Sequence, residues 1–291
     1  MSNSATATLP QKTKVALWTA WPVFVGLAVL AIPTAVTLGE QVWSTEAGAH
    51  GPIVLVTGLW LLWRKADDWR ARGARGAGWL TALILAAGLA LYVFGRAYDF
   101  ISLEVAGLYG VVMAVLYSRF GLMAMLRNWF PLFYLAFLIP PPGWLIDSAT
   151  APLKLFVSYV TTSGLQAIGI PVFREGVTLM VAQYQLLVED ACSGMNSITG
   201  LIAISLFYIY LLRNASWTYS LLLVALVVPI AVAANIIRVG VLVLLTYFFG
   251  DAVAQGFLHT AAGLLLFVSA LTLVFLVDSV LSRIVRPQRA T

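Results

Sequence analysis

Val188-Glu189-Asp190-Ala191-Cys192-Ser193-Gly194-Met195-Asn196-Ser197 is where the chain's most polar membrane-flanking stretch meets its only cysteine and runs into an apolar span. A lone cysteine excludes an internal disulfide and a multi-cysteine metal cage, which leaves packing, redox sensing or nucleophilic chemistry. Most single cysteines are small buried hydrophobes. Here Asp190 is placed to N-cap the helix that follows, which sets Cys192 in its first turn, where the helix dipole favours a thiolate.

On either side of this stretch the sequence is dominated by apolar residues. Of 291 residues, 61% are hydrophobic and 10% charged, and the mean hydropathy is +0.94. These values exclude an ordinary soluble domain and predict an all-α polytopic membrane protein. The net charge of +5 belongs by the positive-inside rule to cytoplasmic loops rather than to a nucleic-acid site. The first 14 residues are polar, with Lys12 and Lys14, and the apolar run behind them has no clean small-residue exit. No cleavable signal peptide is therefore expected.

In chain order, apolar runs cover Val15 to Leu38, Gly51 to Trp63, Trp79 to Gly95 and Ile101 to Tyr117. Trp129 to Ile139 is short for a span and must borrow residues on one side or the other of Pro140-Pro141-Pro142-Gly143, where the prolines end a regular helix. Leu153 to Ile168 mixes apolar residues with Lys154, Ser158, Thr161, Thr162 and Gln166, which predicts a helix lying in the interface. Val177, Leu179 and Val181, then Tyr184, Leu186 and Val188, alternate with a period of two. They predict a small hairpin of strands with turns near Glu175-Gly176 and Ala182-Gln183, outside the membrane, because such strands cannot face lipid. The sixth span is expected over Ser193 to Leu212. The run from Trp217 to Phe249 would be about 50 Å long as one helix, well over the ~30 Å hydrocarbon core, so it must bend, tilt or project. Pro229 and the group Asn235-Ile236-Ile237-Arg238 are the candidate break points. A last span runs from near Phe257-Leu258-His259 to Asp278.

Eight crossings with both termini inside place Lys12, Lys14, Arg64, Lys65, Arg70, Arg72, Arg75, Arg119, Arg127, Arg213, Arg283, Arg286 and Arg289 in the cytoplasm, 13 of the 17 basic residues. This bias predicts a cytoplasmic tail over 1–14, a membrane domain over 15–281 with an extracytoplasmic segment at about 140–191, and a cytoplasmic basic tail over 282–291. It also makes nucleic acid an unsuitable partner.

The same orientation sets Cys192 at the outer start of span six, Arg238 toward the outer end of span seven and His259 at the outer start of span eight. Taken singly, Cys192 can merely pack, Arg238 can snorkel and His259 can be an interfacial polar tip. Their agreement in depth favours chemistry. Such a trio suits acyl transfer: Cys192 attacks a carbonyl, His259 passes the proton to the leaving amine, and Arg238 stabilises the thiolate or the tetrahedral oxyanion. No metal or cofactor is required. Asn235 shares a helix face with Arg238 and can orient the guanidinium or the substrate backbone. Glu189 and Asp190 oppose thiolate formation, an effect the helix start and Arg238 can offset.

Glu189-Asp190-Ala191-Cys192-Ser193-Gly194, then Asn235-x-x-Arg238, then His259 opening the final span, resembles the exosortase family of bacterial membrane transpeptidases. The resemblance covers roughly Phe130 to Val277, and the N-terminal spans by layout. It implies Cys192 as nucleophile with Arg238 and His259 completing the site, and leaves Asn235, Glu189, Asp190, Ser193 and Gly194 as supporting residues. Many members continue Cys-Ser-Gly with a bulky aliphatic and then arginine, where this chain has Met195-Asn196. The resemblance further implies an inner-membrane enzyme with its site facing the periplasm. Its implied partners are exported proteins carrying a short C-terminal motif of Pro-Glu-Pro type, a hydrophobic helix and a basic tail, with a neighbouring exopolysaccharide system.

Two other classes remain open on the residues alone. In a transporter or channel component, Asn235 and Arg238 on a broken helix would bind an anionic solute. In a non-catalytic assembly protein of polysaccharide export, the outer strands would be a docking surface. Against transport stand the absence of an internal repeat and the few charged positions expected to be buried in the first four spans.

Overall fold

The computed structural model describes residues 11–45, 48–187, 198–211 and 217–250, together with 253, 268–269, 272–277 and 279–280. The first helices are α1 (Gln11–Gln41), α2 (Gly51–Arg64), α3 (Ala66–Arg72), α4 (Gly78–Ala97) and α5 (Ile101–Arg127). Helix α1 begins before the apolar run that predicts it. Only 11% of its apolar stretch is buried, and Trp21, Phe24, Val29 and Ile32 stand outward. A helix this apolar and this little covered needs lipid as its solvent.

Helices α4 and α5 form a tight antiparallel pair. A Cβ on Gly95 would collide with the backbone of Glu104, and one on Gly107 with the backbone of Tyr92. Small residues at such crossings let helix backbones approach where no hydrophobic force separates protein from lipid. Helix α5 also runs past the expected end at Tyr117. It kinks at Gly121, whose φ of 69° takes it out of the helix. Just before the kink, the connection after α3 is tied down by Ala74 N–H donating to Phe120 O at 3.2 Å.

The first spans do carry a buried charge. Glu104 is 2% exposed and accepts hydrogen bonds from Thr34 Oγ1 at 2.7 Å and from Arg96 Nη1 at 3.1 Å. The same Arg96 nitrogen donates to Thr37 Oγ1 at 3.1 Å, and the Tyr92 hydroxyl donates to Leu30 O at 3.0 Å. Five polar side chains, Thr34, Thr37, Tyr92, Arg96 and Glu104, thus join α1 to the α4–α5 pair. A carboxylate at this depth persists only when it is paired and hydrogen-bonded, as here.

Helix α6 (Trp129–Leu135), with a 3-10 turn over Ala136–Leu138, packs beside α2 and α8 (Ile198–Leu211). Their shared core is Val54, Leu61, Phe130, Tyr134 and Ala203, with the Phe130 and Tyr210 rings stacked at 4.0 Å. The three prolines then break the helix, and α7 (Gly143–Ala167) leaves at 93° to α6. Helix α7 thus starts ten positions earlier than the apolar pattern suggests. Its right-angled course suits a helix lying across the bundle end.

Strands β1 (Val172–Glu175), β2 (Thr178–Val181) and β3 (Tyr184–Leu187) follow, giving three strands rather than a single hairpin. They pair antiparallel in the order β1-β2-β3, with Val172 opposite Val181 and Val181 opposite Tyr184. The turns fall at 176–177 and 182–183. Period-two alternation is realised as a buried face carrying Val172, Leu179 and Val181. Ser158 Oγ donates to Gly176 O at 3.2 Å and Gln166 Nε2 to Val172 O at 2.7 Å, which fixes the sheet on α7.

Helix α9 (Trp217–Phe249) is continuous through Pro229 and through Asn235 to Arg238. Among the described residues, four helical stretches are long and apolar enough to cross a membrane by themselves: Trp21–Gln41, Gly78–Ala97, Ile101–Arg127 and Val228–Phe249. The bent α6–α7 pair is a fifth candidate, and Gly51–Arg64 and Ile202–Leu211 are shorter apolar helices. The polytopic helical architecture follows. The expected last span falls mostly outside the described residues, as do both chain ends.

Candidate active site

Arg238 and Asn235 are each 1% exposed on α9. They sit on one stripe with Ala231, Ala234, Val239, Val243 and Thr246, all buried, while Ile237 on the other side is 46% exposed. The i, i+3 spacing that puts the two polar groups on one face is therefore also the spacing of the buried face. A guanidinium covered to this degree is not reaching for head groups, which removes the snorkelling reading.

The cover over this stripe comes from α7 and the sheet. Val157 and Leu165 of α7 and Val172, Leu179 and Val181 of the strands share one core with Val232, Val239 and Val243 of α9. Helix α7 turns its polar side into this region and its apolar side out. Thr150, Lys154, Ser158, Thr161 and Thr162 are buried, whereas Trp144, Leu155, Phe156 and Tyr159 are exposed. Such inverted amphipathicity fits a helix with lipid on one side and a polar interior on the other. Lys154, 7% exposed, forms an ion pair with Asp147 at 3.4 Å. The Thr161 and Thr162 hydroxyls are buried without a hydrogen-bond partner, a costly state in an apolar surround. The mixed spacing of α7 signals these residues only in part, because periodicity does not tell which face of a membrane helix is covered.

Cys192, His259, Glu189, Asp190, Ser193 and Gly194 lie outside the described residues. Chain connectivity still bounds the position of Cys192. It follows the last residue of β3, Leu187, by five positions and precedes the first residue of α8, Ile198, by six. At ~3.6 Å per residue, neither tether exceeds about 22 Å. Gly250, just past α9, sits against the Tyr184 hydroxyl at the start of β3. Arg238 is 11 positions before Phe249, the last residue of α9, about 16 Å along the axis.

Sequence reasoning gave no role to His50. Its side chain lies against Gly200 in the first turn of α8, where an added Cβ would come within 2.8 Å of His50 Cβ and 3.1 Å of Nδ1. His50 also lines a cavity of about 260 Å³, with Trp43, Ser102, Phe137, Pro140 and Thr199 among the other walls. Only a non-local contact discloses this, since 150 positions separate the two residues.

The family model for transmembrane exosortases matches residues 42–276. The chain belongs to the transmembrane exosortase family. The match takes in every element from α2 to α9 and extends beyond both Cys192 and His259. No curated protein and no solved structure matches the chain. Within this exosortase, α9 carries the described part of the expected site, Asn235 and Arg238. The strands and α7 form the roof over it.

Proposed function

We propose that this exosortase is a cysteine transpeptidase or endopeptidase of the bacterial inner membrane. Its substrates are exported proteins whose C-terminal sorting signal combines a short Pro-Glu-Pro-type motif, a hydrophobic helix and a basic tail, in the service of exopolysaccharide production or surface attachment. The observation that carries the reading is the complete burial of Arg238 beside Asn235 on an apolar helix. A guanidinium held away from water offers a fixed fork of donors to a thiolate or a developing oxyanion, and such charge stabilisation is worth more in a dry site. In the reaction, the Cys192 thiolate attacks the scissile carbonyl and Arg238 holds the tetrahedral oxyanion. Collapse breaks the C–N bond, with the thiol proton passing through His259 to the departing amine. Water, or an amine acceptor, then displaces the thioester and regenerates the thiol.

The orientation that serves this chemistry has both termini in the cytoplasm and the site facing the periplasm. It is supported by the concentration of basic residues at the α2–α4 connection, Arg64, Lys65, Arg70, Arg72 and Arg75. A membrane-anchored substrate then presents its scissile segment where α7 and the strands lie, and keeps its basic tail inside. The test is processing of a co-expressed substrate by Cys192→Ala at equal membrane abundance. Loss of processing with accumulation of precursor is the expected result, and unchanged processing rules out cysteine catalysis.

A further inference from the structure

Helices α2 and α8 finish side by side. The Trp60 and Phe207 rings meet edge to face, 6.2 Å between centroids, one turn before the last residues of the two helices. In those last turns lies a cavity of about 260 Å³, lined among the described residues by Leu61, Arg64, Lys65, Tyr210 and Leu211. It is below the ~300–1,000 Å³ of sites for drug-sized ligands, and suits a head group better than a whole molecule. Arg64 is exposed, and its guanidinium carbon sits 5.0 Å over the Trp60 ring, which orients the fork. Among the described residues it has no carboxylate partner. Lys65 lies 3.5 Å from Asp68, a long contact that takes one of three ammonium donors. Tyr210 is a fixed wall, stacked on Phe130 at 4.0 Å, and its hydroxyl is a further donor. The helix C-termini favour cations here, and Lys65 N–H covers the carbonyls of Leu61 and Leu62, each at 3.2 Å.

The depth of the cavity follows from its neighbours. Trp63 and Trp79, 75% and 73% exposed, stand at the two ends of the connection that carries Arg70, Arg72 and Arg75. Exposed tryptophans beside basic residues mark the head-group level of a membrane. Helix α2 has 14 residues, about 21 Å against a hydrocarbon core of ~30 Å. A helix this short is matched by drawing head groups inward. We propose that the cavity binds the phosphate of an anionic phospholipid from the adjoining leaflet. The Arg64 fork takes two phosphate oxygens, Lys65 and Tyr210 add donors, and the acyl chains run along Val56, Leu59 and Trp63, all exposed on α2. Basic pockets between membrane helices hold anionic head groups in this way. The site is independent of the peptidase reading, and a lipid held there ties the ends of α2 and α8 together.

The test uses the purified full-length protein in phosphatidylcholine mixed micelles, titrated with phosphatidylglycerol, with retained lipid read by native mass spectrometry. The expected result is one saturable phosphatidylglycerol per chain, held in preference to phosphatidylcholine. Arg64→Gln should raise its apparent Kd about tenfold, because a hydrogen-bonded charge is lost. Arg64→Lys should raise it less, since charge remains without the fork. Arg70→Gln removes the same charge from a side chain that is 76% exposed and outside the cavity, and should stay within about twofold. Equal weakening by Arg64→Gln and Arg70→Gln means diffuse attraction and overturns the site. Equal retention of the two lipids by wild type overturns it without any variant. Displacement of the lipid by millimolar inorganic phosphate makes the cavity a site for free phosphate and overturns the lipid assignment.

Discussion

Asn235 and Arg238 stand one helical turn apart on α9, and each has 1% of its surface exposed. The pair is enclosed by α7 and the sheet instead of lying open to head groups, and an anchoring arginine and one that holds an oxyanion respond differently to substitution. An anchor tolerates Lys, because a flexible ammonium reaches an interface equally well. A site that holds an oxyanion with a planar fork of donors does not. Arg238→Lys should therefore lower precursor cleavage about 10²- to 10³-fold at matched abundance. Arg238→Ala should fall at least as far, and Asn235→Ala should be milder. Near-wild-type cleavage by Arg238→Lys would demote the residue to a structural role.

Glu104 offers a test of the fold that does not touch the site. Its carboxylate joins Thr34 on α1 to Arg96 on α4. Removing it in Glu104→Ala takes away the ion pair of Arg96, but that side chain keeps the Thr37 hydroxyl, is 46% exposed and can rehydrate. The loss should be about 2 kcal/mol, short of the 3–5 kcal/mol typical of fully buried pairs. Glu104→Gln keeps an acceptor for Thr34 and should lose about half as much. Thermal unfolding of the purified protein in detergent reads both. Unchanged midpoints would mean that α1 is held by lipid alone.

Reporter fusions test the orientation. Fusions after Arg70 and after Arg213 should report cytoplasm, and fusions within Val172 to Glu189 should report the outside. A cytoplasmic signal from the strand segment would put Cys192 on the wrong face for exported substrates.

Much of this architecture is written in local pattern. Pro140-Pro141-Pro142 marks the break that the structure turns into a 93° bend, because proline removes a donor and clashes with the preceding turn. The alternation at Leu179 and Val181 becomes the buried face of β2. Arg238 stands out because a guanidinium within an apolar run needs a reason. What local pattern does not carry is contact between distant segments. The meeting of Thr34, Arg96 and Glu104, the packing of His50 on Gly200 and the inward polar face of α7 each depend on which helices become neighbours. The kink at Gly121 was equally silent, since a lone glycine in a helical run signals a break only once its φ of 69° is known.

The central claim is that Cys192 forms a covalent bond to its substrate, and the most direct measurement is to capture that bond. Full-length protein with its site intact, incubated in membranes with a membrane-anchored fusion whose Pro-Glu-Pro segment precedes its hydrophobic helix and quenched rapidly in acid, should hold a fraction of the substrate's N-terminal part as a thioester on Cys192. Mass spectrometry should locate it on the peptide containing Cys192, neutral hydroxylamine should release it, and Cys192→Ala should abolish it. Substrate cleaved at the normal rate by Cys192→Ala, with no hydroxylamine-sensitive adduct on the protein under any condition, would contradict the account.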